Sequence, residues 1–134
     1  MQEAPVILHP ASCILLAEDS ETNLTAMSDY LSAKGYRVIV ARNGSEAIRR
    51  AGEDRPDVVL MDIQMPGMDG LEAIRHIRAE PDPRVAQVPI IALTAIAMSG
   101  DRQRCMDAGA NEYLSKPVSL KELVEMVEAQ LREV

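Results

Sequence analysis

The strongest constraint on how this chain folds is the recurrence of short apolar runs without polar alternation. "CILLA" (13–17), "VVLM" (58–61) and "PIIAL" (89–93) are apolar on both of their alternating faces. A half-exposed strand alternates apolar with polar, so runs like these read as strands covered on both sides, the pattern of a parallel sheet between helices. "RVIVA" (37–41) and "EYLS" (112–115) complete a set of five candidate strands.

Helical spacing fills the gaps between them. Leu24, Met27, Tyr30 and Leu31 share one face, and Gly35 follows as a stop. Asn43 with Glu46, and Asp69 with Glu72, have the spacing of an N-cap and its partner three residues on. "SGDRQRCMDAG" (99–109) predicts a short fourth helix ending at Gly109. "SLKE" at Ser119 opens a last helix with an apolar face of Leu120, Leu123, Val124, Val127 and Leu131. Strands alternating with helices predict a doubly wound α/β fold, (βα)5 in form, because right-handed crossovers put helices on both sides of a parallel sheet. Residues 1–11 read as an N-terminal extension and 12–134 as one domain.

Composition narrows the function classes. A formal net charge of -7 opposes a surface that tracks nucleic-acid phosphates, so no nucleic-acid partner is expected. The opening "MQEAPVILHP" lacks a basic segment followed by a long apolar one, and no run approaches the length of a membrane span. Cys13 and Cys105 lack metal-ligand spacing and read as buried reduced thiols, which suits a cytoplasmic protein. With no Phe or Trp and three Tyr, the core must be built from Leu, Ile, Val, Met and Ala.

In doubly wound folds ligands sit at the carboxyl ends of the strands. Here the first strand ends in Glu18 and Asp19, the third in Asp62, the fourth in Thr94, and the fifth in Ser115 and Lys116. Three carboxylates at one rim repel one another unless a cation shares the site, and Mg²⁺ is the hard oxygen-seeking ion that such a set takes. A carboxylate can also attack phosphorus to give an acyl phosphate. On this reading Glu18 and Asp19 hold the cation, Asp62 ligates it and is the nucleophile, and Lys116 and Thr94 pair with the transferred phosphoryl oxygens. Each residue also has an ordinary alternative. Asp19 could cap the helix that follows, Asp62 could satisfy loop amides, Thr94 could be a plain strand residue and Lys116 a solvated charge. The functional reading accounts for all of them together.

The chain resembles the receiver domain of two-component response regulators over about 11–131. The resemblance is carried by "ILLAEDS", "VVLMDIQMPGMDGLEAIRHIR", "PIIALTA" and "AGANEYLSKPVSLKEL". It implies the flavodoxin-like strand order 2-1-3-4-5 and Asp62 as acceptor of a phosphoryl group from a histidine kinase or histidine phosphotransfer protein. It further implies Mg²⁺ held by Asp19, Asp62, Glu18 through water and the backbone carbonyl of Gln64, with Thr94 and Tyr113 as paired switch residues. By the same analogy the Lys116–Pro117 peptide is cis, and the face of the fourth helix, fifth strand and last helix changes shape to control a downstream protein. Gln64 stands where the family tunes hydrolysis of the acyl phosphate. The chain is then a regulatory domain and not an enzyme acting on external substrates, either free-standing or a relay module of a hybrid histidine kinase. Asn23 resembles a feature of receivers that serve such kinases.

Two other classes share parts of this pattern. An aspartyl-phosphate phosphatase of the haloacid dehalogenase type places a second aspartate two residues after its nucleophile, where this chain has Gln64. A flavodoxin-like carrier needs a Ser/Thr/Gly-rich phosphate loop after the first strand, where this chain has the acidic "AEDSETN". His9 and His76 have no neighbours at ligand spacing.

Overall fold

A computed structural model describes residues 12–95 and 100–132. The expected extension at 1–11 lies outside the described residues. The chain runs β1 (Cys13–Ala17), α1 (Glu21–Ala33), β2 (Arg37–Ala41), α2 (Gly44–Asp54), β3 (Val58–Asp62), α3 (Gly70–Arg78), α4 (Pro83–Ala86), β4 (Ile90–Thr94), α5 (Asp101–Ala108), β5 (Glu112–Ser115) and α6 (Leu120–Arg132). All four strand pairings are parallel, in the order β2-β1-β3-β4-β5.

Every residue of β1, β3 and β4 is buried, as their two apolar faces require. β2 and β5 stand at the edges, and both show exposed positions. Alternation divides the core in two. Ile14, Leu16, Leu60 and Leu93 face α1 and α6, packing on Leu24, Leu31, Leu123 and Val127. Leu15, Val59, Met61 and Ala92 face α2, α3 and α5, packing on Ala47, Ala51, Ile74, Ile77 and Cys105. Small alanines on α2 let it lie close to the sheet, which suits a core without Phe or Trp. Both cysteines are free and buried, and burial pushes each thiol above its ordinary value.

The expected caps form. Asn43 accepts from the Glu46 amide, Asp69 from the Glu72 amide, and Ser119 Oγ from the Glu122 amide. Gly35 and Gly109 take positive φ after α1 and α5. α1 corrects one alternative: its cap is Ser20, whose side chain accepts from the Asn23 amide, which leaves Asp19 free of that duty. α4 was not expected from the sequence. It is one turn, capped by Asp82 with Pro83 at its first position, and "DP" is the signal that marks it.

Arg78 at the end of α3 binds the lower half of the fold together. Its guanidinium donates to the carbonyls of Gly109, Ala86 and Val88 and to Asn111 Oδ1 at 2.7–2.8 Å. Asn111 Oδ1 also accepts from the Ile90 amide. One side chain thus ties α3, α4, β4 and the start of β5.

Candidate functional site

The topological switch lies between β1 and β3, whose chains lead away in opposite directions, and their carboxyl ends deliver Glu18, Asp19 and Asp62 to one place. Asp62 is the last residue of β3 and is 1% exposed, as is Glu18; Asp19 is exposed. An oxygen from each of the three lies within 4.8 Å of the others. Lys116, just past β5, places its Nζ 2.9 Å from Glu18 Oε1 and 3.0 Å from Asp62 Oδ2. The Lys116–Pro117 peptide is cis.

The backbone builds this corner closely. The Asp62 Oδ1 accepts from the Gln64 amide at 3.0 Å, and Glu18 Oε2 accepts from the Ser20 amide at 3.1 Å. Gly70 opens α3 with its N–H on the Ile63 carbonyl, and a Cβ there would collide with the Asp62 carbonyl oxygen and the Ile63 Cα. The start of α3 can lie against the end of β3 only because residue 70 has no side chain.

Charge follows from burial. The Asp62 carboxyl is pushed up to about 6 from the ordinary 3.8: burial raises it, the Lys116 hydrogen bond lowers it, and the Glu18 charge raises it again. Burial pulls the Lys116 ammonium down, yet its hydrogen bonds to Glu18 and Asp62 leave it above its ordinary value. The pocket is therefore short of positive charge, and the lysine compensates part of the deficit.

Thr94 ends β4 and is 2% exposed; Tyr113 lies on β5, partly buried against the α2/α3/α5 side of the core. Of the residues named from the sequence, Glu18, Asp19, Asp62, Thr94 and Lys116 lie at this rim, whereas Tyr113 stands further back on β5, in register with Ala92 of β4. What the sequence did not disclose is the Gln64 side chain. Its Nε2 donates to Thr94 Oγ1 at 2.9 Å, and its Oε1 accepts from the Ala95 amide at 3.0 Å. Spacing from Asp62 marks residue 64, but nothing local indicates that its amide reaches a strand thirty residues on.

Two grooves flank the rim. One of about 470 Å³ is mostly apolar and lies between α1 and the loop after β5, along Asn23, Met27, Lys116, Pro117, Val118 and Leu120. The other, about 520 Å³, runs from Asp19 and Gln64 past Thr94 to Asp101 and Arg104. A larger groove at the opposite end of the sheet, around Ser12, Asp57 and Asn111, brings no such cluster of acceptor and cation groups together.

Comparison with known proteins fits this geometry. Residues 14–128 match the family described as the response regulator receiver domain. The chain belongs to that family. As a receiver domain it is 40% identical over 118 residues to the polar-differentiation response regulator DivK of Brucella anthropi, a match spanning 88% of this chain and 94% of DivK. Among solved structures it resembles the receiver domain of sensor histidine kinase PA1611 from Pseudomonas aeruginosa PAO1, with 43% identity, a TM-score of 0.82, and coverage of 90% of this chain and 98% of that one. That structure holds a magnesium ion in its active site cleft. The signal receiver domain of a histidine kinase from Syntrophus aciditrophicus matches at 34% identity and a TM-score of 0.84, covering 92% of each chain. The receiver is a regulatory domain, and no helix among the described residues is long and apolar enough to cross a membrane.

Proposed function

We infer that this receiver is a phosphoacceptor switch in which Asp62 takes a phosphoryl group from a phosphohistidine on a histidine kinase or phosphotransfer protein. One observation carries the assignment: a carboxylate buried at the end of the central strand, 3.0 Å from Lys116 Nζ, with Glu18 and Asp19 converging on it. In the transfer an Asp62 oxygen forms a bond to phosphorus as the phosphorus–nitrogen bond breaks, and the imidazole leaves. Lys116, already on Asp62 Oδ2, offsets charge on the transferred group. The apolar groove beside α1 offers a seat for the donor protein within reach of Asp62.

The converging oxygens of Glu18, Asp19 and Asp62 fit a resident Mg²⁺, which Asp19 and Asp62, Glu18 through water, and the Gln64 backbone carbonyl would hold. When bound, the ion supplies the positive charge that draws phosphate and acceptor oxygens together. After transfer, the dianion is a stronger acceptor than any group now at the rim, so Thr94 turns toward it and Tyr113 follows inward. The face of α5, β5 and α6 then changes shape and controls a protein target. Two buried free thiols suit the cytoplasm as the place of action.

The phosphatase alternative is disfavoured by Gln64, which cannot transfer protons and whose amide is engaged with Thr94 and Ala95. Catalysis is limited to the domain's own phosphorylation and dephosphorylation. Similarity to receivers of two histidine kinases supports a second reading within the same chemistry, a relay step that passes the group on to another histidine.

The test is uptake from a small donor. With acetyl phosphate and Mg²⁺ the intact mass gains one phosphoryl group, and chelation abolishes the gain. Asp19→Asn folds normally yet binds Mg²⁺ more weakly. Uptake that ignores the chelator would refute the metal-assisted reading.

A further inference from the structure

The geometry points to Gln64 as a latch: its side-chain amide holds the end of β4 in the resting arrangement, and phosphorylation must release it. This rests on Asp62 being the phosphoacceptor.

The amide makes two hydrogen bonds. Nε2 donates to Thr94 Oγ1 at 2.9 Å, and Oε1 accepts the Ala95 N–H at 3.0 Å. The same residue's backbone N–H is on Asp62 Oδ1 at 3.0 Å. Gln64 therefore joins the acceptor at the end of β3 to the hydroxyl at the end of β4 and to the first residue beyond it. These are the points at which the signal has to pass from one strand to the next.

Chemistry decides which way the latch works. The amide oxygen is a neutral acceptor, whereas a phosphoryl group on Asp62 brings three charged acceptor oxygens to the same rim. Ala95 has one N–H, and it cannot serve both with good geometry. Thr94 likewise cannot swing toward the phosphoryl group and keep its present position on Nε2. A charged acceptor wins this exchange, but it must first displace two formed hydrogen bonds. Gln64 is an exposed side chain, so on release it moves into water at little cost. The latch thus sets a threshold: it keeps the unphosphorylated β4 end in place and subtracts from the affinity of the site for a phosphoryl group.

Gln64→Met keeps length and removes both polar atoms; Gln64→Glu keeps an acceptor for Ala95 and loses the donor to Thr94. Two readouts report on the latch without using acyl-phosphate lifetime. The first is amide hydrogen exchange at Ala95 in unphosphorylated protein, expected to be faster in Gln64→Met and near wild type in Gln64→Glu. The second is affinity for beryllofluoride with Mg²⁺, expected to tighten about fivefold in Gln64→Met, the worth of one modest net hydrogen bond. Unchanged Ala95 exchange overturns the latch. Faster exchange with equal or weaker beryllofluoride affinity overturns it too, because Gln64 would then be a tie that phosphorylation does not break. If wild type fails to bind beryllofluoride at all, the phosphoacceptor reading fails, while Ala95 exchange still tests the resting contacts.

Discussion

Replacing Asp62 with Asn should make the metal-free protein more stable, and the size of the gain follows from the site. Burial and the Glu18 charge outweigh the help from Lys116, so the Asp62 carboxyl titrates at about 6 where an ordinary aspartate does so at 3.8. The folded state therefore keeps a proton that the unfolded chain has shed. Stability falls as pH rises between those two values and stays lowered above the higher one. A shift of about two units at 1.36 kcal/mol each makes the charged Asp62 cost about 3 kcal/mol at pH 8. Asn removes the charge but also the Asp62 partner of Lys116, which keeps Glu18 at 2.9 Å. The net gain should be about 2 kcal/mol, or about 6 °C in Tm for a domain of this size. Urea and thermal melts of both proteins in chelator, from pH 4 to pH 8, measure it. The advantage should shrink below pH 6 and disappear near pH 4, and saturating Mg²⁺ should stabilise wild type more than the variant. A variant no more stable than wild type at pH 8, or an advantage independent of pH, would refute the reasoning.

Other parts of the site and fold give further expectations. Lys116→Met leaves the buried Glu18 and Asp62 uncompensated, so chelated protein at pH 8 should lose about 3 kcal/mol in urea melts, with much of it restored by Mg²⁺. Gly70→Ala drives a methyl into the Asp62 carbonyl and Ile63 Cα, neither able to yield; about 2–3 kcal/mol of stability should go, together with slower uptake from acetyl phosphate. Arg78→Met leaves the carbonyls of Gly109, Ala86 and Val88 without their donor, and thermal melts should show a loss of about 3 kcal/mol with Mg²⁺ affinity intact.

The parts legible in the sequence are those set by local pattern. Double-faced apolar runs of four or five residues located β1, β3 and β4, since runs that short and rich in Ile, Leu and Val suit strands covered on both sides, and the caps at Asn43, Asp69 and Ser119 act within three residues of themselves. The polar strand ends then followed from topology, which is why Glu18, Asp19, Asp62, Thr94 and Lys116 could be named before any coordinates. Asp19 had a second reading as a helix cap because Asp and Ser are equivalent caps by type; geometry gave the role to Ser20. The contacts of Arg78 and of the Gln64 amide could not be read in advance. Both join residues far apart in the chain through long side chains whose direction depends on the finished packing.

The central claim concerns where the phosphoryl group goes. Wild type and Asp62→Asn should be incubated with acetyl phosphate and Mg²⁺, followed by intact mass and peptide mapping of the modified site. Wild type should gain a single alkali-labile phosphoryl group on the peptide holding Asp62, and the variant should gain none. Equal uptake by the two proteins, or a label on any other residue, would contradict the account.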